Sequence, residues 1–246
     1  MESTDPDWYR QHFNEDYRTL YAARSDEEAE AQAAFAAERL GIKPGDAVLD
    51  LCCGHGRHLA AFARRDIRAT GVDLSLALLA DAARQGAGSL FRADMRALPF
   101  AGESFTVLVN FFTSFGYFES EQGNLMVIEE IARVLRPAGR FLIDLINPLS
   151  AVSPVPESLR AEGSFEIREE RWFDDETRRI NKRINLLDTV SGENRRYRES
   201  VRIYEQEELL SILSPSGLGV EKICGDFEGG DFHADSPRMV LYGARS

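Results

Sequence analysis

Three acids each sit at the end of a short apolar run: Asp50 in Val48-Leu49-Asp50-Leu51, Asp73 in Gly71-Val72-Asp73-Leu74, and Asp94 in Arg92-Ala93-Asp94-Met95. A carboxylate placed as Asp73 is can accept hydrogen bonds from both hydroxyls of a ribose. One placed as Asp94 can accept from an adenine amino group while the next backbone N–H, that of Met95, donates to the ring. Asp50 runs into Cys52-Cys53-Gly54-His55-Gly56, where the glycines let backbone approach a ligand and the following helix offers free N–H groups. A carboxylate beside that bend sits poorly against a pyrophosphate and well against a cation. Leu59, moreover, occupies the third glycine position of the dinucleotide fingerprint. The three acids therefore suit an adenosine bearing a positive charge rather than one bearing phosphates.

To bring these acids together, the chain must end three strands at one edge of a sheet. Apolar runs at Ala47 to Leu51, Ile67 to Val72, Leu90-Phe91, Phe105 to Val109 and Arg140 to Ile146 alternate with helical patterns. The helices fall near His58 to Arg65, from Ser75 to about Gly86, and at about Asn124 to Leu135. Such alternation predicts an α/β fold, a Rossmann-like parallel sheet with helices on both faces, because parallel neighbours need crossover connections. Ligands of such folds bind at the carboxyl edge. Upstream, Ser25 and Glu28 form a capping-box pattern that opens an Ala-rich helix stopping at Gly41. Before it, Trp8, Tyr9, Phe13, Tyr17 and Tyr21 recur every three to four residues, which predicts one short helix with an aromatic face. Downstream, Pro154 and Pro156 mark an irregular stretch. Three alternating runs follow, Phe165 to Phe173, Arg179 to Leu187 and Arg195 to Tyr204, and read as an antiparallel meander. A helix near Glu205 to Leu213 and strands at about Val220 to Phe227 and Met239 to Ala244 complete the pattern.

Taken together, Val48 to Gly56, Gly71 to Ser75, Ala93-Asp94, Leu98-Pro99-Phe100 with Glu103-Ser104-Phe105, and Val134 to Arg140 resemble the class I S-adenosylmethionine-dependent methyltransferases over about residues 10 to 147 and, more loosely, the last two strands. The resemblance implies a seven-stranded sheet with its last strand antiparallel, S-adenosylmethionine as cofactor and S-adenosylhomocysteine as product. It also implies that Asp50, Gly54 and Gly56 line the methionine part, Asp73 with Leu74 the ribose, and Asp94 with Met95 the adenine. Cys52 stands where the family often has its first glycine, Thr106 replaces a frequent Asp and Ala138 a frequent Gly. The N-terminal segment, residues 1–41, resembles the lid of small-molecule N-methyltransferases that act on amino sugars and glycine. They also carry a sheet insertion after the fifth strand, here residues 148–205. On that reading the chain is one methyltransferase domain, and Tyr17, Tyr21 and Arg24 reach the cofactor, Arg24 meeting its carboxylate. The aromatic face serves equally well as plain packing.

Topology sends the segments after Asn110, after Ile146 and from Glu228 to Pro237 to one edge. Substrate contacts are therefore expected from Asn110, Phe111, Ser114, Tyr117, Trp172, Tyr204, Phe232 and His233, with Asn110 and Phe111 also near the cofactor and Tyr21 shared. Of these, Tyr21, Tyr117, Trp172, Tyr204 and His233 are the candidates to act on the substrate; no residue is assigned as the catalyst, since methyl transfer to a neutral amine needs alignment more than a base. Cys52, Cys53, His55 and His58 do not read as a metal site, because adjacent cysteines cannot easily share one tetrahedral centre. Arg178-Arg179 and Arg195-Arg196 are interleaved with acids and read as a solvated face.

The bulk numbers narrow the partners. With 41 Asp and Glu against 29 Lys and Arg, the formal net charge is −12, which argues against a phosphate backbone as partner. No apolar run nears the roughly 20 residues needed to cross a bilayer, and Met1 to Arg10 lacks the features of a signal peptide. Three cysteines, two of them adjacent, do not make a disulfide framework. A cytoplasmic enzyme methylating a small molecule, at nitrogen or oxygen rather than carbon, is the resulting expectation. The alternatives are a tRNA- or protein-modifying methyltransferase and a nucleotide-binding module without catalysis.

Overall fold

The computed structural model describes residues 6–151 and 155–246. Pro154 and the polar start Met1 to Asp5 lie outside them. In chain order come α1 (Trp8–His12), α2 (Tyr17–Leu20), α3 (Asp26–Arg39), β1 (Val48–Leu51), α4 (Arg57–Ala63), β2 (Ala69–Asp73), α5 (Leu76–Arg84), β3 (Leu90–Arg92) and β4 (Phe105–Asn110). Then follow α6 (Glu121–Val134), β5 (Leu135–Ile146), α7 (Pro148–Ala151), β6 (Val155–Glu162), β7 (Phe165–Asp174), β8 (Arg179–Asp188), β9 (Asn194–Arg202), α8 (Gln206–Leu213), β10 (Leu218–Cys224) and β11 (Arg238–Arg245). Seven strands form one sheet in the order β10-β11-β5-β4-β1-β2-β3, and β11 alone runs antiparallel to its neighbours. This is the class I methyltransferase fold.

Central strands without a polar face explain why both sides are covered. Leu49, Leu51 and Leu108 point to one core with Val127, Ile128 and Ile131 of α6. Val48, Val107 and Val109 point to the other, with Ala33 and Ala36 of α3 and Phe62 of α4. Alanines let α3 lie close, and Ser25 caps it by accepting from the Glu28 N–H at 3.2 Å. The helix α6 begins three residues earlier than expected because Ser120, accepting from the Gly123 N–H at 3.2 Å, caps it. The single aromatic helix is a different matter. Phe13 to Asp16 turn the chain, with the Asp16 N–H donating to Asn14 Oδ1 at 2.8 Å, so the aromatic stripe is divided between α1 and α2.

The insertion is a second, four-stranded antiparallel sheet in the order β6-β7-β8-β9 rather than the three-stranded meander expected. Pro156 suggested an irregular segment, yet β6 is an edge strand, where a missing N–H is tolerated. Register sorts the side chains of this sheet. Opposite residues form the rows Arg171–Lys182–Glu199 and Phe173–Ile180–Val201 on one face, and Glu170–Arg183–Arg198 and Trp172–Asn181–Ser200 on the other. Among the described residues, no helix is long and apolar enough to cross a membrane.

Candidate functional site

At the carboxyl edge of the large sheet lies a cavity of about 560 Å³, bounded also by the N-terminal segment and the insertion. Its size is in the range of small-molecule sites. The glycine loop and the ends of β2 and β3 supply one wall, with Gly54, Asp73, Leu74, Asp94 and Met95 lining it. Asp73 accepts from the Gly54 N–H at 2.9 Å and the Ser75 N–H at 2.8 Å, one on each oxygen. Two anchored oxygens still have lone pairs to offer a diol. Burial raises the Asp73 pKa against the pull of those N–H groups. For Asp94 the balance tips the other way. Burial pushes its pKa up, but Arg96 donates through its backbone N–H, Nε and Nη2, the last at 2.7 Å, and holds the carboxyl below its ordinary value.

Asp50 is 1% exposed and does not reach the cavity wall. Its Oδ2 has no hydrogen-bond partner, and burial followed by the Asp73 charge pushes its pKa well up. A buried carboxyl oxygen without a partner is costly. A nearby cationic ligand would offset that cost, so the residues present fit the sulfonium cofactor expected of this sequence. Cys52 occupies the left-handed region at φ 62°, the backbone conformation for which glycine is suited, and its Sγ lies 3.6 Å from Met95 Sδ.

The N-terminal segment closes a second wall. Ser75 Oγ donates to the Phe13 carbonyl at 2.6 Å, joining this segment to the loop that follows Asp73. Tyr17, Tyr21 and Arg24 all line the cavity, and Arg24 donates to Tyr17 Oη. Its guanidinium lies 4.0 Å from the Tyr21 ring centroid and 4.0 Å from that of Phe112. Phe112 and Thr113 both have positive φ, 66° and 57°. Asp144 holds this strained turn by accepting from the Phe112 N–H at 2.8 Å and from Arg238 Nε at 2.7 Å. The sequence alone gave no sign of this Asp144–Arg238 pair, since the two residues are far apart in the chain.

The third wall is the insertion face carrying Arg171, Lys182 and Glu199. Glu199 pairs with buried His12 at 2.9 Å and with Lys182 at 3.4 Å, and Tyr21 Oη lies 3.4 Å from Lys182 Nζ. Burial lowers Lys182 to about 8. Arg171, Lys182, Glu199 and His12 were not singled out in the sequence, because inter-strand register decides which side of a strand faces a cavity.

Several expected residues stand elsewhere. Phe111, Ser114 and Tyr117 line the cavity, whereas Asn110 donates to the Leu51 carbonyl at 2.8 Å and ties two strand ends together. Gly56 caps α4 with φ 85°, and a Cβ there would come within 3.0 Å of Ala82. Its task in this fold is close packing against α5, not lining the cavity. Trp172 is on the opposite insertion face, near Arg183 and Arg198. Tyr204 packs on Phe115 and donates to Glu121 at 2.8 Å, away from the cavity. Phe232 and His233 are held outside it because Asn147 Nδ2 donates to the carbonyls of His233, Ala234 and Ser236 and folds their loop back. His55 and His58 both line the cavity, and buried His58 also stacks on Phe111 at 4.0 Å and meets Gln32 at 2.7 Å. Among the described residues, no three His, Cys, Asp or Glu side chains are grouped to hold a metal.

Comparison with known proteins gives the same outline. Residues 48–139 match the family model described as a methyltransferase domain. A demethylmenaquinone methyltransferase of Mycobacterium sp. (strain KMS) is 36% identical over 104 residues, 42% of this chain and 43% of that protein, so the match spans less than half of the relative. In fold, the CcbJ methyltransferase of Streptomyces caelestis superposes with TM-score 0.81 at 18% identity, covering 96% of this chain and 98% of the other. The S-adenosylmethionine-bound amino pentose methyltransferase CalS10 of Micromonospora echinaspora does so with TM-score 0.69 at 21% identity, over 94% and 96%.

Proposed function

We propose that this chain, with its methyltransferase domain at residues 48–139, transfers a methyl group from S-adenosylmethionine to a small-molecule acceptor at nitrogen or oxygen. The observation that carries this reading is Asp73, anchored by two backbone N–H groups beside Gly54 on the wall of a cavity that Asp94 also lines. When bound, the cofactor supplies an electrophilic methyl on a positive sulfur. Asp73 accepts from the ribose hydroxyls, Arg24 donates to the methionine carboxylate, and the positive sulfur favours the ionised form of Asp50 buried behind the loop. Tyr17, Tyr21 and the aromatic residues of the N-terminal segment act as a lid, and the insertion covers the acceptor. Together they align the acceptor and exclude water, and orientation of this kind contributes on the order of 7–11 kcal/mol.

The organisation of the acceptor side supports a small substrate. A formal charge of −12 opposes a tRNA partner. Calorimetry tests the reading directly. S-adenosylmethionine is expected to bind and NAD is not, and Asp73→Ala should abolish the binding. Binding of NAD, or undiminished affinity in Asp73→Ala, would remove the proposal. Retained cofactor binding with no S-adenosylhomocysteine released from a panel of amines, amino sugars and hydroxylated aromatics would favour the non-catalytic module instead.

A further inference from the structure

Across the cavity-facing side of the insertion, Arg171 on β7 sits directly opposite Lys182 on β8, and Lys182 opposite Glu199 on β9. Like charges directly opposite each other on a sheet destabilise it, and here both side chains are partly removed from water. Glu199 divides its carboxylate between Lys182 and His12. Glu169, 4.0 Å from Lys182, is engaged by Arg160 at 2.6 Å. The Arg171 side chain has no ion pair or hydrogen bond among the described residues, and desolvation is the influence acting on it. An uncompensated cation on a cavity wall, set against a second cation, breaks a local rule without any compensation inside the protein. Violations of that kind concentrate where a ligand completes the arrangement.

Resting on the methyltransferase reading above, we infer that the acceptor carries an anionic oxygen group, carboxylate or phosphate, which sits between Arg171 and Lys182. Arg171 offers a planar fork of donors suited to either group. Arg24 lies 4.0 Å from the ring centroids of Tyr21 and Phe112 and is left to the cofactor.

The test titrates benzoate, phenyl phosphate and benzylamine into the full chain saturated with S-adenosylhomocysteine. Saturable one-site binding is expected for at least one of the two anions and not for benzylamine. Which anion binds distinguishes carboxylate from phosphate. Arg171→Gln should weaken that binding by about tenfold or more, as expected for loss of a charged hydrogen bond, and Arg171→Lys should restore part of it. Arg171→Gln breaks no internal bond, so its thermal midpoint should stay level or rise. Absence of saturable anion binding to the wild-type chain overturns the inference, as does equal affinity in Arg171→Gln. A lowered midpoint with unchanged anion affinity would make Arg171 structural and overturn it too. If S-adenosylhomocysteine itself fails to bind, the methyltransferase reading falls and takes this one with it. If it binds and neither anion does, only the inference falls.

Discussion

At the scale of single residues, two positions show how backbone geometry and side-chain identity pull apart. Cys52 and Ala138 both have left-handed φ, 62° and 59°, at the two positions where the resembling family often has glycine. A side chain in that region costs about 1–2 kcal/mol. Ala138 is exposed, so Ala138→Gly recovers most of this, less the roughly 0.4–1 kcal/mol by which glycine favours the unfolded chain. A net gain of about 0.5–1 kcal/mol should raise the thermal midpoint by a few degrees in a scanning measurement. Cys52→Gly should gain less, because it also removes the sulfur packed against Met95. Arg24 carries a second prediction. Replacing it with Ala removes one charged donor, worth about 1.5–3 kcal/mol, so calorimetric affinity for S-adenosylmethionine should fall roughly ten- to hundredfold. Unchanged affinity would leave Arg24 as aromatic packing only. Asp73, Asp94 and the glycine loop were legible in the sequence because strand, bend and helix follow one another within a dozen residues. Arg171, Lys182, Glu199 and His12 were not, since their meeting depends on strand register and on a segment about 170 residues away.

At the scale of elements, alternating strand and helix signals located the large sheet, because buried parallel strands are apolar on both faces and their helices are amphipathic. Faces within the insertion were less readable. Trp172 and Arg171 are adjacent in sequence and point opposite ways, and a pattern of alternating large and charged residues does not say which side is covered. The N-terminal segment is fixed to that insertion by a small set of bonds. Asp16 receives Arg195 and Tyr197, and Arg160 donates to the Leu20 carbonyl. Asp16→Ala leaves Arg195 to its longer pair with Glu193, at 3.8 Å, and frees the segment. Amide exchange over residues 8–24 should accelerate while that of β1 and β4 stays slow. If these bonds hold the lid in place, the KM for S-adenosylmethionine should rise as well. Equal protection in the variant would show that aromatic packing alone holds the segment down.

Over the whole molecule, an acidic exterior surrounds a cavity that contains several cations and neutral histidines. Desolvation, then Arg57 and Arg18, hold His55 down to about 4, and burial likewise depresses His58. An unfolded histidine titrates near 6.5. The stability gained from keeping His55 neutral is therefore complete above about pH 6.5 and is lost as pH falls toward 4, where the unfolded chain binds the extra proton. Asp50 and Asp73, both raised by burial, act with the opposite sign. Comparison with a variant separates the contributions. His55→Asn should reduce the drop in thermal midpoint between pH 6.5 and 4, and an identical drop would place the acid sensitivity elsewhere.

The position of β11 also governs how the chain is assembled. This strand, residues 238–245, lies between β5 and β10, so it fills an interior slot of the sheet although it is made last of the eleven. During synthesis, the flank of β5 from Arg140 to Ile146 stays unpaired until residues 238–245 emerge. An apolar strand edge left open for that interval invites pairing with other chains. Nascent chains stalled before residue 238 should therefore be the species that chaperones bind and that aggregate.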